Sequence, residues 1–268
     1  MKKKHSESPH WGRVLANPFT WNTSPKKEPS PALREYAQKV ANLTDAPKNI
    51  YVTDPDLALT IISERATKLL EPRGQSFVKD KYNSRAIEQL CLYFTQNTNF
   101  AGTLSKGIML MGGYGVGKTF LLSLFANTYP DGHRFKPACA LSHIVTPDQL
   151  INQHNAEGKT QMAYGTMQTN RRPKFHNYLL DELGGEVNIS PALLESRNLT
   201  FAELDRTNII ATILHRRHRL FIEAGLRTHI TTNLTEGGQI QALYGGKILS
   251  RINEMCNVIE ITGHDRRK

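Results

Sequence analysis

Two groups of residues have types and spacings suited to phosphate chemistry. The first is Gly112-Gly-Tyr-Gly-Val-Gly-Lys-Thr119, a G-x-x-x-x-G-K-T pattern preceded by the apolar run Ile108-Met-Leu-Met111 and followed by Phe120-Leu-Leu122. That context reads strand, glycine-rich turn, helix, the setting a phosphate-binding loop needs. Glycines 112, 113, 115 and 117 allow backbone conformations that side chains resist. Their N–H groups can therefore turn inward around a β-phosphate, beside a helix N-terminus. Lys118 is placed to neutralise the β- and γ-phosphates. Thr119 is placed to put a hydroxyl on Mg²⁺, a hard cation that shares its oxygen ligands with a nucleotide. The expected nucleotide contacts are Gly112, Gly113, Tyr114, Gly115, Val116, Gly117, Lys118, Thr119 and Phe120.

The second group is Asp181-Glu182, reached directly from the apolar run Tyr178-Leu-Leu180. A short strand ending in two carboxylates presents them at the carboxyl end of a sheet, where open α/β folds bind ligands. Asp181 is expected to hold the magnesium shell. Glu182 is expected to be the base that orients and activates an attacking water, a group that a small-molecule kinase does not need in that place. Thr228-His-Ile-Thr-Thr-Asn233 is a β-branched strand ending in an asparagine. Asn233 is expected beside the γ-phosphate, holding the attacking water; its alternative is a residue that begins a turn.

Positioning these groups requires a parallel sheet. Apolar strand candidates at Gly107–Met111, Cys139–Thr146, Asn177–Leu180, Thr228–Thr232 and Val258–Ile261 alternate with helical patterns. The helices are expected at Lys118–Asn127, Pro147–Asn155, Leu204–Ala224 and Lys247–Glu254. Such alternation marks an α/β fold with a sheet flanked by helices. Upstream, Pro55 at a helix start is followed by Leu57, Ile61, Ile62 and Leu69 at helical spacing. A second pattern sets Ile87, Leu90, Cys91 and Phe94 on one face, and both helices are expected to pack on the following domain. Residues 1–32 carry prolines at 9, 18, 25, 29 and 31 among serines and lysines and read as a flexible basic tail. Residues 33–83 read as a mainly helical N-terminal region, and 84–268 as the nucleotide-binding domain.

The chain has 34 basic and 24 acidic residues, a formal charge of +10 that favours a polyanionic partner, although solubility alone accounts for such a charge too. Its three cysteines, Cys91, Cys139 and Cys256, are far apart and lie in apolar stretches, without metal-ligand spacing. They read as core side chains in a reducing cytoplasm. The charged start lacks the continuous apolar segment of a signal peptide, and no run is long enough to span a membrane. His215-Arg-Arg-His-Arg219, between Leu214 and Leu220, reads as mostly turned away from the core, either gripping nucleic-acid phosphates or forming a solvated face with carboxylate partners such as Glu223. Arg171, Arg172 and Lys174 form another candidate patch.

Taken in order, Gly112–Thr119, Leu179-Leu-Asp-Glu-Leu-Gly184, Thr231-Thr-Asn-Leu234 and Leu249-Ser-Arg-Ile252 resemble the DnaC/IstB group of AAA+ ATPases over residues 84–267. The resemblance implies an AAA+ P-loop NTPase sheet of the ASCE type with the phosphate-loop strand central, ATP with Mg²⁺ as the ligands, and action as a homo-oligomer on DNA. It implies that Arg251 is an arginine finger reaching a neighbouring subunit's γ-phosphate. The family's C-terminal Gly-x-Ser-x-Arg segment is matched by Gly263-His-Asp-Arg-Arg267, with Asp265 in place of serine. That match makes Arg267 the nucleotide-sensing arginine, with Arg266 as the alternative. The implied client is a replicative helicase, as for DnaC-type loaders, or a transposase, as for IstB-type helpers. Single-stranded DNA is the expected nucleic acid. A nucleotide-gated DNA-binding protein with little turnover is the competing function.

Overall fold

The computed structural model describes residues 50–136, 139, 141, 143–157, 166–168, 173–175, 177–187, 199–235 and 237–267. The expected tail, the part of the N-terminal region before residue 50, Arg171, Arg172 and the side chain of Lys174 lie outside the described residues. In chain order the elements are β1 (Ile50–Tyr51), α1 (Pro55–Leu70), α2 (Ser84–Phe94), β2 (Gly107–Met111), α3 (Lys118–Ser123), β3 (His133–Arg134) and β4 (His143–Val145). They continue with α4 (Pro147–Glu157), β5 (Thr166–Gln168), β6 (Pro173–Phe175), β7 (Tyr178–Leu183) and α5 (Phe201–Ala224). The last are β8 (Thr228–Thr232), α6 (Gly237–Tyr244), α7 (Gly246–Met255) and β9 (Cys256–Glu260).

Five strands form one sheet in the order β4-β7-β8-β2-β9, and every pairing in it is parallel. Because successive side chains alternate across a strand, β2 sends Ile108 and Leu110 to one face and Met109 and Met111 to the other. The first face packs on α1, α2 and α3 through Ile62, Ile87, Leu90 and Leu122. The second packs on α4, α5, α6 and α7 through Leu150, Ile213, Ile240 and Ile252. The result is a sheet buried between two helical layers, which explains why β2 is apolar throughout and β8, apart from the buried His229, is β-branched.

The resemblance placed the phosphate-loop strand at the centre of the sheet. It is interior but not central: β8 occupies the middle, and β2 lies next to the edge strand β9. Helix α3 is also shorter than expected, ending at Ser123. Helix α1 begins where Pro55 predicts, behind an Asp54 N-cap that accepts a hydrogen bond from Leu57 N. Its core face is Ala58, Ile61, Ile62, Arg65 and Ala66, whereas Leu57 and Leu69, at the two ends of the helix, are each 42% exposed. Arg65 is buried with its charge met: it donates to both Asp131 oxygens at 2.6 and 2.9 Å and to the carbonyl of Leu124 at 2.6 Å. This fixes α1 to the segment that follows α3. The three cysteines are free and buried, and burial pushes the thiols of Cys91, Cys139 and Cys256 up to about 12, 11 and 12, so they are un-ionised core groups as expected.

Candidate functional site

At the carboxyl end of β2 the chain leaves the sheet through Gly112 and turns into α3 at Gly117, which holds a left-handed φ of 97°. Gly115, with a φ of 71°, is required for a second reason: a Cβ there would lie 1.9 Å from the Asp265 carboxylate. The loop is strapped from outside, since Ile261 N donates to Met111 O at 2.8 Å and Arg266 N donates to Gly115 O at 3.0 Å. Lys118 is buried and donates to the carbonyls of Gly112 (2.8 Å) and Gly113 (2.7 Å) and to Asn233 Oδ1 (2.6 Å).

The acidic pair sits at a bulge near the end of β7. The β7–β8 register shifts between Leu180 and Leu183, and Glu182 adopts a φ of 65°, rare for a residue with a side chain. Thr231 on β8 repairs the interrupted ladder. Its hydroxyl accepts from Glu182 N at 2.8 Å and donates to Asp181 Oδ1 at 2.6 Å. The same Asp181 oxygen accepts from Thr119 at 2.6 Å, and Asn233 Nδ2 donates to Glu182 Oε1 at 3.1 Å. Two short networks result: Thr119–Asp181–Thr231, and Lys118–Asn233–Glu182.

These residues line one side of a cleft of about 700 Å³. Val116, Gly117, Phe120 and Arg267 line it as well, whereas Tyr114, 65% exposed, does not. Of its other walls, the sequence announced only the one near Gly263–Arg267. They come from Leu70, Arg73 and residues 75–78 after α1, and from His264, Asp265 and Arg266 near the C-terminus. The two walls are joined by an ion pair of 2.6 Å between Arg266 and Asp80. The feature that tells Arg266 from Arg267 is therefore this pairing: Arg267 has no ion pair among the described residues and faces the same cleft.

A hydroxyl and a carboxylate oxygen 2.6 Å apart, Thr119 and Asp181, suit a hard cation shared with a nucleotide, which needs few protein ligands. Among the described residues no group of three or more His, Cys, Asp or Glu side chains could form a dedicated metal cage. Burial depresses the Lys118 pKa to about 8, opposed by the charges of Glu182 and Asp181 and assisted by Arg267. In the free protein the ammonium is thus half neutral near pH 8. Bound phosphates would favour the charged form, so nucleotide binding is expected to take up about half a proton at pH 8 and almost none at pH 6.5, with affinity falling as pH rises above 8. Calorimetric titration in buffers of different ionisation enthalpy checks this.

Arg251 lies on α7 and does not line the cleft. Its charge contributes, after burial, to holding the His215 imidazole below its ordinary pKa, which sets it beside α5. The basic stretch on α5 is less open than expected. Arg217 falls on the same helical face as Leu214 and Leu220, is fully buried, stacks over the Tyr178 ring at 4.1 Å and donates to Thr228 Oγ1 and Arg227 O. His218 meets Glu254 and Arg219 meets Glu223. Arg217 is thus a core group, whereas Arg219 sits in the solvated ion pair with Glu223 that the sequence offered as the alternative.

With β8 inserted between the phosphate-loop strand β2 and the acidic strand β7, the strand order and the loop define a P-loop NTPase fold of the ASCE type. No family model matches the chain, and no curated protein does. Among solved structures it is similar to the crystal structure of the DnaC helicase loader, at 18% identity and a TM-score of 0.44, covering 69% of this chain and 93% of that one. It is also similar to the crystal structure of DnaI, at 18% identity and a TM-score of 0.42, covering 69% of this chain and 88% of that one.

Proposed function

We propose that this protein is an AAA+ ATPase that couples ATP binding and hydrolysis to remodelling of a protein–DNA complex, acting as a DnaC-type helicase loader in replication. The observation that carries the ATPase reading is the convergence of Lys118, Asn233 and Glu182 in one hydrogen-bonded chain beside the Thr119–Asp181 pair. The loader reading rests on the order and identity of the four motifs that resemble DnaC-type proteins.

In this mechanism the loop amides and Lys118 bind the β- and γ-phosphates, and Thr119 and Asp181 hold Mg²⁺, which when bound neutralises charge developing on the transferred phosphoryl group. Glu182 accepts the proton of the attacking water, and Asn233 orients that water toward the γ-phosphate. Asn233 also holds Glu182, so a γ-phosphate arriving at Lys118 would compete for the amide and release the carboxylate. Arg267 reads the nucleotide from within the chain, whereas Arg251 completes a neighbour's site. The client is a helicase-type protein, the nucleic acid is single-stranded DNA, and the setting is the cytoplasm. Among the described residues no helix is long and apolar enough to cross a membrane.

The test is ATP turnover at rising protein concentration, with and without single-stranded DNA. Turnover per chain is expected to increase with both. No phosphate release under any condition, with ATP still bound, would replace this reading with a nucleotide-gated binding protein.

A further inference from the structure

Beyond the two networks of the site lies a carboxylate that the hydrolytic scheme does not use. Glu186 is only 4% exposed, and burial raises its carboxyl pKa. Its Oε2 accepts from Gly184 N at 3.0 Å, and its Oε1 accepts from the Tyr244 hydroxyl at the end of α6. Its main-chain carbonyl accepts from Arg206 Nε of α5 at 2.7 Å, and Arg206 is also paired with Asp148 of α4. A carboxylate is costly to bury, and an apolar side chain would serve packing alone better. What this one grips is the turn that sets Glu182.

That turn is closed by Gly185 N donating to Glu182 O at 2.8 Å, and it contains two consecutive glycines. Gly184 is left-handed at a φ of 96°, and a Cβ on Gly185 would meet the Glu182 side chain and carbonyl at 2.9 Å. Two glycines supply this geometry but do not hold it, because glycine retains wide conformational freedom. Thr231 fixes Glu182 from the sheet side. On the other side the described anchor is the Glu186 carboxylate on Gly184 N, itself held by Tyr244.

We propose that Glu186 and Tyr244 form a positioning pair that locks the Gly184-Gly185 turn and so holds Glu182 in its left-handed, catalytically aligned conformation. This rests on the ATPase reading above. Neither residue lines the nucleotide cleft, so neither touches substrate; the pair acts through Glu182. Because Tyr244 ends α6 immediately before α7, the same contact ties the hydrolytic turn to the helix pair that carries Arg251.

A misplaced catalytic group loses rate without losing the phosphate contacts, which belong to the loop. For Tyr244→Phe, kcat is expected to fall about 10- to 100-fold with KM for ATP within about twofold of wild type. Glu186→Ala is expected to behave alike and to be more severe. Glu186→Gln can still accept from Gly184 N while donating to the Tyr244 oxygen, so it is expected to restore kcat to within about threefold of wild type. Unchanged kcat in Tyr244→Phe, or a KM that rises in step with the loss of kcat, overturns the proposal. If Glu186→Ala does not fold, Tyr244→Phe, which removes one oxygen, carries the test alone. Failure of the ATPase reading has a different signature: wild type without turnover.

Discussion

Arg251→Ala is expected to lower ATP turnover about 10³-fold or more while leaving ATP affinity within a few-fold of wild type, because an arginine finger stabilises charge spread over the transferring phosphoryl group. The geometry favours an effect in trans. Arg251 is half-buried on α7 beside α5 and is absent from the walls of its own cleft, where Arg267 already faces the phosphate side. A single chain therefore presents a loop that lacks this arginine and an arginine that lacks a loop. Mixing Arg251→Ala with Glu182→Gln gives the decisive measurement. If sites are shared, the two inactive variants together regain part of the turnover, because some interfaces pair an intact Glu182 with an intact Arg251. Undiminished activity of Arg251→Ala alone would reduce this residue to a helix-surface arginine.

The parts of the site that were legible in the sequence are those built by short stretches of chain. The loop Gly112–Thr119 announces itself because glycines, lysine and threonine must follow one another for backbone N–H groups to converge. Strands β2 and β8 have the bounds that their apolar and β-branched runs predict. Helix α5 spans Phe201–Ala224, the stretch with the clearest helical spacing, behind a Thr200–Glu203 capping box. Glu182 and Asp181 were assigned from an apolar strand ending in carboxylates, although β7 runs on through them to Leu183 with a bulge that no periodicity reveals.

What stayed hidden is what depends on residues far apart in sequence. The cleft wall from residues 70–78 carries no motif, and its closure relies on Arg266 reaching Asp80, 186 positions away. Thr231 was visible as a member of a threonine-rich strand and of the Thr231–Leu234 motif, without a role of its own; its bond to Asp181 follows from β8 lying between β2 and β7. Helix α6 was missed because Gly237-Gly238 at its start and Gly245-Gly246 after it read as turns, which left six residues between them without a clear apolar stripe. Arg217 misled in the opposite direction. Its charge suggested solvent, but its position three residues from both Leu214 and Leu220 put it on the core face, where the Tyr178 ring, a threonine and a carbonyl receive it.

Glu182→Gln is expected to lower ATP hydrolysis by about 10²–10⁴-fold, the range attributable to one general base, while nucleotide binding and the fold persist. The substitution is nearly isosteric, and a glutamine oxygen can still accept from Asn233 Nδ2 as the Glu182 carboxylate does at 3.1 Å. The bond from Glu182 N to Thr231 and the turn bond from Gly185 N to Glu182 O are made by the main chain and survive unchanged. What is removed is the capacity to take a proton from water, together with the negative charge that opposes the burial of Lys118. The variant should accordingly bind ATP at wild-type affinity, keep its melting temperature and accumulate the undischarged nucleotide. A quench-flow measurement of phosphate release beside equilibrium binding of a fluorescent ATP analogue separates the two effects. Retained turnover would move the base to another residue of the cleft. A joint loss of binding and turnover would mean instead that Glu182 supports the Lys118–Asn233 network, for which its charge is a principal counterweight to the burial of the lysine.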